Sequence, residues 1–358
     1  MSAADERGEP IADRELLLLF QDFQIYDRIV VAVSGGPDST ALLWLLSRWR
    51  DSLGNGPELI AATLDHRLRR ESKAEAAAVE KLAQRLKIPH RILVWSGKKP
   101  KSGIQEAARN ARYRLLVDLA RTMRAGAIVT AHTLDDQAET LLHRIGRGSG
   151  LGGLAGIRKL TVRDGVVLLR PLLGISKARL VATLRKARIS FADDPTNRDP
   201  RFLRPRLRRL VPELAREGID AARLSLLARR LARAEAAIEK FVSNEKQRVL
   251  VSSKANAVEY KARALFDLPP EVSLRILGEA IGRFGHEGPV ELGKLEVLHE
   301  ALAQCWMQSQ ELTRTLAGAL VRLDSRQSVD RARLRVNPAP PRRGKHKKHP
   351  KQRVQGIR

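Results

Sequence analysis

The sequence predicts an α/β fold: a doubly wound parallel sheet followed by a mostly helical second domain. Three observations predict it. Apolar runs of strand length at 29–33, 58–64, 90–95 and 127–131 each lead into a stretch of helical period. Four such alternations in succession fold as parallel strands with helices on both faces. Polar and glycine-rich residues follow the C-terminal ends of these runs, where open α/β sheets place their ligands. Beyond residue 218, long Ala-, Leu- and Arg-rich segments of helical period take over, with no further strand–helix alternation of that kind.

Taken in order, residues 13–24 read as a short amphipathic helix carrying Leu16, Leu17, Leu19, Phe20 and Phe23. The first strand runs into Ser34-Gly35-Gly36-Pro37-Asp38-Ser39, and Ala41 to Leu46 continue as a helix. Two glycines permit a tight turn and a close ligand approach, and Pro37 suits a first helical turn. The free N–H groups there, with the helix dipole behind them, form an anion site. This is neither the Walker loop, since no Lys follows the glycines, nor GxGxxG. Asp38 is unexpected in a phosphate cradle; a divalent metal carried by the phosphates explains it.

The second strand ends in Asp65-His66-Arg67-Leu68-Arg69, and an Ala-, Glu- and Lys-rich helix follows at 71–87 before Pro89. After the third strand, 96–103 is a basic loop. The helix 104–123 places Arg109 and Arg112 three residues apart on one face, a pairing of guanidinium groups that suits phosphate. The fourth strand runs into His132, Asp135, Asp136 and Glu139. Asp136 and Glu139 share a helix face; with His132 they can position a metal, an amine or a base, while Asp135 suits helix capping.

Five glycines between Arg147 and Gly156 are interleaved with leucines and read as an ordered, substrate-touching loop. A short strand at 166–169 precedes Arg170-Pro171-Leu172, and Ser176 is placed to cap a helix at 177–187. Turn-forming residues fill 191–199. Arg198, Arg201, Arg204, Arg206, Arg208 and Arg209 then crowd a loop-to-helix junction, a pattern suited to a nucleic-acid backbone. Helices follow at 220–246, 270–284 and 290–304, a strand-like piece at 247–251, and strand-like alternation at 310–336. The tail from Asn337 turns Pro-rich and then basic, a composition that predicts disorder. The boundaries read 1–24, 25–217, 218–336 and 337–358.

Composition narrows the partners. Lys and Arg number 66 against 40 Asp and Glu, a net charge of +26 over 358 residues. Residues 342–358 hold eight of the cations and no acid, so +18 stays on the body. Such an excess points to a polyanion, above all nucleic acid. One cysteine, Cys305, excludes an internal disulfide framework and a four-cysteine zinc site. An acidic, polar N-terminus and the lack of a membrane-length apolar run predict a soluble cytoplasmic protein.

The block Ser34 to Ser39 resembles the SGGxDS loop of the N-type ATP pyrophosphatases, the PP-loop enzymes with an adenine nucleotide α-hydrolase-like fold. Further motifs are similar to those of one branch, the tRNA(Ile)-lysidine synthetases. They are Asp65-His66 with Leu68-Arg69, Glu106 to Arg109 with Arg112-Tyr113, and Ala131-His132 with Asp135 to Thr140. Arg147 to Leu151 with Gly153-Leu154, Arg170-Pro171-Leu172 and Asp194 to Asn197 complete the series. The resemblance covers about residues 25–215. Pro205 departs from it, standing where the family usually has Asn.

The resemblance implies ATP and Mg2+ as cofactors, and free L-lysine and an isoleucine tRNA with a CAU anticodon as partners; it leaves room for a homodimer. It implies that ATP adenylates the C2 oxygen of the first anticodon cytidine, and that the lysine ε-amine then displaces AMP. Ser34, Gly35, Gly36, Pro37, Asp38 and Ser39 would bind ATP, with Asp38 on the metal. Arg112 and Asp136 would join Asp38 in catalysis, and His132, Asp136 and Glu139 would meet lysine or cytidine. Arg147, Arg201, Arg204, Arg206 and Arg208 would meet tRNA. Three rivals stand beside this reading. tRNA thiolation usually delivers sulfur through cysteines, of which only Cys305 exists; a small-molecule ligase has little need of +26; and a non-catalytic RNA binder has no use for Asp38, Arg112 and Asp136.

Overall fold

A computed structural model describes residues 8–65, 72–97, 99–100, 102–192, 203–325 and 330–341. By contact density the chain divides after Arg233 into two units.

The first unit is built on a six-stranded sheet of order β3-β2-β1-β4-β6-β5. Its strands are β1 (Arg28–Ala32), β2 (Glu58–Asp65), β3 (His90–Val94), β4 (Ala127–Val129), β5 (Leu160–Arg163) and β6 (Val166–Leu169). Neighbours pair in parallel except β5 with β6. Its helices are α1 (Asp13–Phe20), α2 (Pro37–Asp51), α3 (Ser72–Arg85), α4 (Ile104–Thr122), α5 (Leu134–Ile145), the single turn α6 (Leu151–Leu154), α7 (Lys177–Lys186) and α8 (Leu203–Arg216). α9 (Ala221–Val249) continues across the division.

Strand alternation sorts β1 onto two cores. Ile29, Val31 and Val33 face α2, α3 and α7, whereas Val30 and Ala32 face Tyr113, Leu116 and Val117 of α4. The sheet is therefore covered on both sides, as the long β-branched run of β1 requires. Phe20, Phe23 and Trp49 are fully enclosed, with ring centroids 5.5 to 6.1 Å apart, and tie the N-terminal helix to α2. Burying each ring stabilises the unit by roughly 2–3 kcal/mol.

Strand β5 is absent from the sequence reading. It is joined to β6 through Asp164-Gly165, both at positive φ (49° and 79°), the two-residue turn that favours Asp-Gly. Pro205 falls in the first turn of α8, where no intrahelical N–H bond is lost. Residues 193–202, including Arg198 and Arg201 and the match at Asp194 to Asn197, lie outside the described residues, as do 66–71 and 342–358.

The second unit is less purely helical than its sequence suggests. β7 (Leu250–Ser253), β8 (Val258–Lys261), β9 (Leu312–Leu316), β10 (Ala319–Asp324) and β11 (Arg333–Pro338) form an antiparallel sheet of order β7-β8-β11-β10-β9. It packs with α10 (Ala262–Phe266), α11 (Pro270–Phe284) and α12 (Leu292–Met307) around Val321, Leu323, Leu334, Val336, Ile276 and Ile281. Asn337 and Pro338, read as the start of the tail, end β11. The buried Glu235 receives both Nη atoms of Arg275 at 2.8 Å. Among the described residues no helix is long and apolar enough to cross a membrane.

Candidate active site

The strand order reverses between β1 and β4, and the crevice beyond their C-terminal ends is where such sheets bind ligands. The glycine turn after β1 enters it from one side and the start of α5, after β4, from the other.

The turn is rigid. Gly35 adopts φ +86°, a region costly for a residue with a Cβ. Its carbonyl accepts from Ala192 N–H (2.9 Å) and Thr40 Oγ1 (3.2 Å); the Gly36 carbonyl accepts from Thr40 N–H (3.0 Å) and Ser39 Oγ (3.2 Å). Ser34 N–H donates to Ser39 Oγ at 3.0 Å. With these carbonyls turned into the protein, the first N–H groups of α2, which have no intrahelical acceptor, form a cradle for an anion.

A cavity of about 530 Å³ opens beside it, lined by Asp38, Asp135, Asp136, Glu139, Lys177 and Arg208 among others. Asp38 is mostly buried, and its Oδ1 has no hydrogen-bond partner among the described residues; Lys177 Nζ lies 3.6 Å from Oδ2. Burial, opposed by Lys177 and reinforced by Asp136 and Asp135, pushes the Asp38 carboxyl up to about 6. An orphaned carboxylate oxygen beside a phosphate cradle fits Mg2+, which takes one or two carboxylates and completes its shell with phosphates and water. Among the described residues no three acids, histidines or cysteines are grouped to hold a metal alone.

Capping differs from the sequence reading. Thr133 is the N-cap of α5, and Asp136, three residues on, completes the box: Thr133 N–H donates to Asp136 Oδ2 at 2.9 Å. Asp135 instead accepts from Lys177 N–H at 2.8 Å and so caps α7. Ser176 Oγ, expected to do that, is buried without a partner among the described residues. Lys177 at the cleft was not legible as a site residue; nothing local to its sequence sets it opposite Asp38.

Glu139 is 3% exposed and ion-pairs with Arg208 through Nε and Nη2. Asp38, Asp136, Glu139 and Arg208 thus share one cleft, although they span 170 residues of sequence. His132 and Arg112 form a neighbouring group, linked to the cleft by the charge of Asp136 on His132. Burial, aided by Arg170, Arg112 and Arg109 and opposed by Asp136, holds the imidazole down to about 3, so it is neutral at pH 7. His132 Nδ1 pairs with Thr130 Oγ1 at 2.9 Å. Arg112 is half-buried with no carboxylate partner among the described residues, and burial lowers its proton affinity. Arg109 and Arg163 lie over the Tyr113 ring at 5.1 and 4.9 Å, and Arg170 bonds the Tyr113 hydroxyl. This grouping of guanidinium groups suits an anion.

Of the residues expected to meet nucleic acid, Arg147 and Arg206 are exposed outside the cleft, Arg204 stands in the first turn of α8, and Arg201 lies outside the described residues. The glycine-rich loop is ordered, as its leucines suggest: Gln137 exchanges two hydrogen bonds with Ile157 (2.8 and 2.7 Å), and Arg144 Nη1 reaches the Gly156 carbonyl at 2.9 Å. Gly156, at φ +73°, has no room for a Cβ, which would fall 2.6 Å from Gln137 Oε1.

The PP-loop domain family matches residues 9–214. The chain is 52% identical to a tRNA(Ile)-lysidine synthase of Rhodopseudomonas palustris, over 96% of this chain and 99% of that one. It is 49% identical to the tRNA(Ile)-lysidine synthase of Bradyrhizobium diazoefficiens, over 96% and 98%. Among solved structures, the U34-tRNA thiolase NcsA from Methanococcus maripaludis superposes with a TM-score of 0.54 at 17% identity, over 62% of this chain and 78% of that one, a likeness of fold. A domain match over more than half the chain and near-complete relatives at half identity leave one assignment: the chain belongs to the tRNA(Ile)-lysidine synthase family of PP-loop proteins.

Proposed function

We propose that the protein joins free L-lysine to C2 of the first anticodon cytidine of an isoleucine tRNA bearing CAU, consuming ATP and releasing AMP and pyrophosphate. The observation that carries this reading is the meeting, in one cleft, of the phosphate cradle at α2 with the half-buried Asp136 and the buried Glu139.

ATP seats its phosphates on the N–H groups at Gly36 to Ser39; an apolar cavity of about 290 Å³ against Gly35, Val79 and Ala192 suits its base. Asp38 would hold Mg2+, which supplies charge neutralisation on the phosphates. The cytidine O2 attacks the α-phosphorus and pyrophosphate leaves. Arg112, with no carboxylate partner among the described residues, stabilises negative charge at that phosphorus. The lysine ε-amine, after losing its proton, attacks C2; AMP departs with the oxygen, and the second amine proton is lost. Asp136 and Glu139 hold the lysine ammonium and take its proton. Neutral His132, fixed through Nδ1, presents Nε2 to substrate. Exposed Arg147, Arg206 and their neighbours meet the RNA backbone. Thiolation is the lesser reading: Cys305 is the sole cysteine and lies in the second unit.

The test supplies ATP, Mg2+, radiolabelled lysine and unmodified isoleucine tRNA. Lysine-dependent AMP release with label in that tRNA, and none in methionine tRNA, is the expected result. ATP cleavage without lysine incorporation, or no cleavage, refutes the reading. Sedimentation of the full chain decides whether the homodimer accompanies it.

A further inference from the structure

A second cavity, of about 690 Å³, lies against the opposite face of α5. Asp136 and Glu139 line the first cleft; Leu134 and Gln137 line this one. Its other walls are the loop at 155–159, the turn Pro171–Gly174 and the start of α9. Among the described residues five cations border it, Arg158, Lys159, Arg170, Arg223 and Arg229, against one lining acid, Asp220, with Lys159 also paired to Asp22 at 2.8 Å. Asp220 is already engaged: its Oδ1 accepts Arg223 N–H at 2.7 Å and its Oδ2 lies 3.9 Å from Arg223 Nε. Arg229 has no carboxylate partner among the described residues.

Arg170 makes this a built site. Only 7% exposed, it is fixed by bonds from Nη1 to the Arg158 carbonyl (2.7 Å) and Thr161 Oγ1 (3.2 Å) and by its bond to the Tyr113 hydroxyl, yet its Nε has no partner among the described residues. A buried guanidinium with an idle donor is costly unless an anion completes it. Leu134 and Gln137 belong to the same helical turns as Asp136 and Glu139, so the cavity and the candidate cleft lie back to back across α5. Pro171, Leu173 and Leu226 add an apolar surface on which a base can lie.

We propose that this cavity receives a nucleotide of the substrate RNA flanking the reacting cytidine, its phosphate on Arg170 and Arg229 and its base against Leu173 and Leu226. The proposal rests on the tRNA reading above. Single-stranded bases are recognised when splayed from the stack, and a pocket beside the centre would hold the neighbour of the cytidine while that base is extruded.

The test uses Leu226→Trp, which fills the apolar part, and Arg229→Ala; both residues are exposed and outside the cleft. Binding of a fluorescein-labelled CAU anticodon stem-loop is followed by anisotropy between about 50 and 200 mM salt. Arg229→Ala should weaken binding about tenfold and reduce the salt slope by about 0.7, one single-strand phosphate contact. Leu226→Trp should weaken binding with the slope intact. ATP binding without RNA should be unchanged in both. Wild-type affinity and slope in both variants overturn the proposal. AMP binding that Leu226→Trp abolishes, with RNA binding unaffected, also overturns it, assigning the cavity to a free nucleotide. A wild-type protein that adds no lysine to isoleucine tRNA overturns the underlying reading instead.

Discussion

Asp38→Asn separates the stability of the folded chain from its chemistry. The Asp38 side chain keeps 27% of its surface and has one orphaned oxygen, and its carboxyl is raised from 3.8 to about 6, first by burial and then by Asp136 and Asp135, against the pull of Lys177. A carboxyl raised on folding binds its proton more tightly in the folded state. Below the unfolded value it therefore costs nothing; the cost grows between 3.8 and about 6 and is complete above that. Two units at ~1.4 kcal/mol each give ~3 kcal/mol, and the remaining water access reduces this to ~1–3 kcal/mol. Asn has nearly the same shape and no charge to bury. In EDTA without nucleotide, the variant should exceed wild type by ~1–3 kcal/mol at about pH 8, and by less than half that at about pH 4.5. Urea unfolding followed by fluorescence, with Trp49 at the end of α2 as reporter, measures it. Because the second unit carries no substitution, it cancels in the difference. A variant less stable at pH 8, or an advantage indifferent to pH, would refute the assignment of a buried, charge-strained carboxylate. The same substitution should abolish pyrophosphate release.

Other substitutions test neighbouring claims. Gly35→Ala places a methyl 3.6 Å from Val79 Cγ2, an ordinary contact, so its cost is the backbone's, ~1–2 kcal/mol, with weaker ATP binding by calorimetry; Gly36→Ala, at φ −71°, should be near neutral in stability. Arg208→Ala leaves Glu139 without its guanidinium and should destabilise by roughly 1–3 kcal/mol at pH 8, a loss that Glu139→Gln partly recovers in the double variant. Arg275→Ala strands Glu235 in the second unit and should cost that unit ~3–5 kcal/mol, visible in unfolding followed at Trp306; near-neutral behaviour would show that the pair contributes little.

Local chemistry wrote most of the first unit plainly into the chain. The β-branched run of β1, its glycine turn and Pro37 define strand, turn and helix without outside help. The acids at Asp136 and Glu139 were visible because they share a helix face just past a strand. β5 is hard to read although Asp164-Gly165 announces its hairpin, because Leu160 to Arg163 offers only two residues to each face. The five-stranded sheet of the second unit is blurred for a similar reason: its strands are four to six residues long, and three helices divide β7 and β8 from β9, β10 and β11. What no local pattern carries is pairing across distance. Lys177 opposite Asp38, Asp135 capping α7 and Arg208 on Glu139 depend on the strand order, which turns around between β1 and β4.

Both outer strands of the first sheet bear on how copies of the protein treat one another. β3 shows Ile92 to solvent, and β5 shows Leu160 and Val162, at 47, 52 and 64% exposure, beside ladder edges that no strand among the described residues pairs. Such edges invite another chain to zip on. They are short and flanked by Arg91, Lys159 and Arg163, and a charge of +26 adds colloidal repulsion. That repulsion reaches about 10 Å in 0.1 M salt but only about 3 Å at 1 M. Stripping nucleic acid with concentrated salt therefore removes the shield along with the contaminant, and a stoichiometric polyanion discharges it from outside. Handling that avoids both extremes keeps the edges apart.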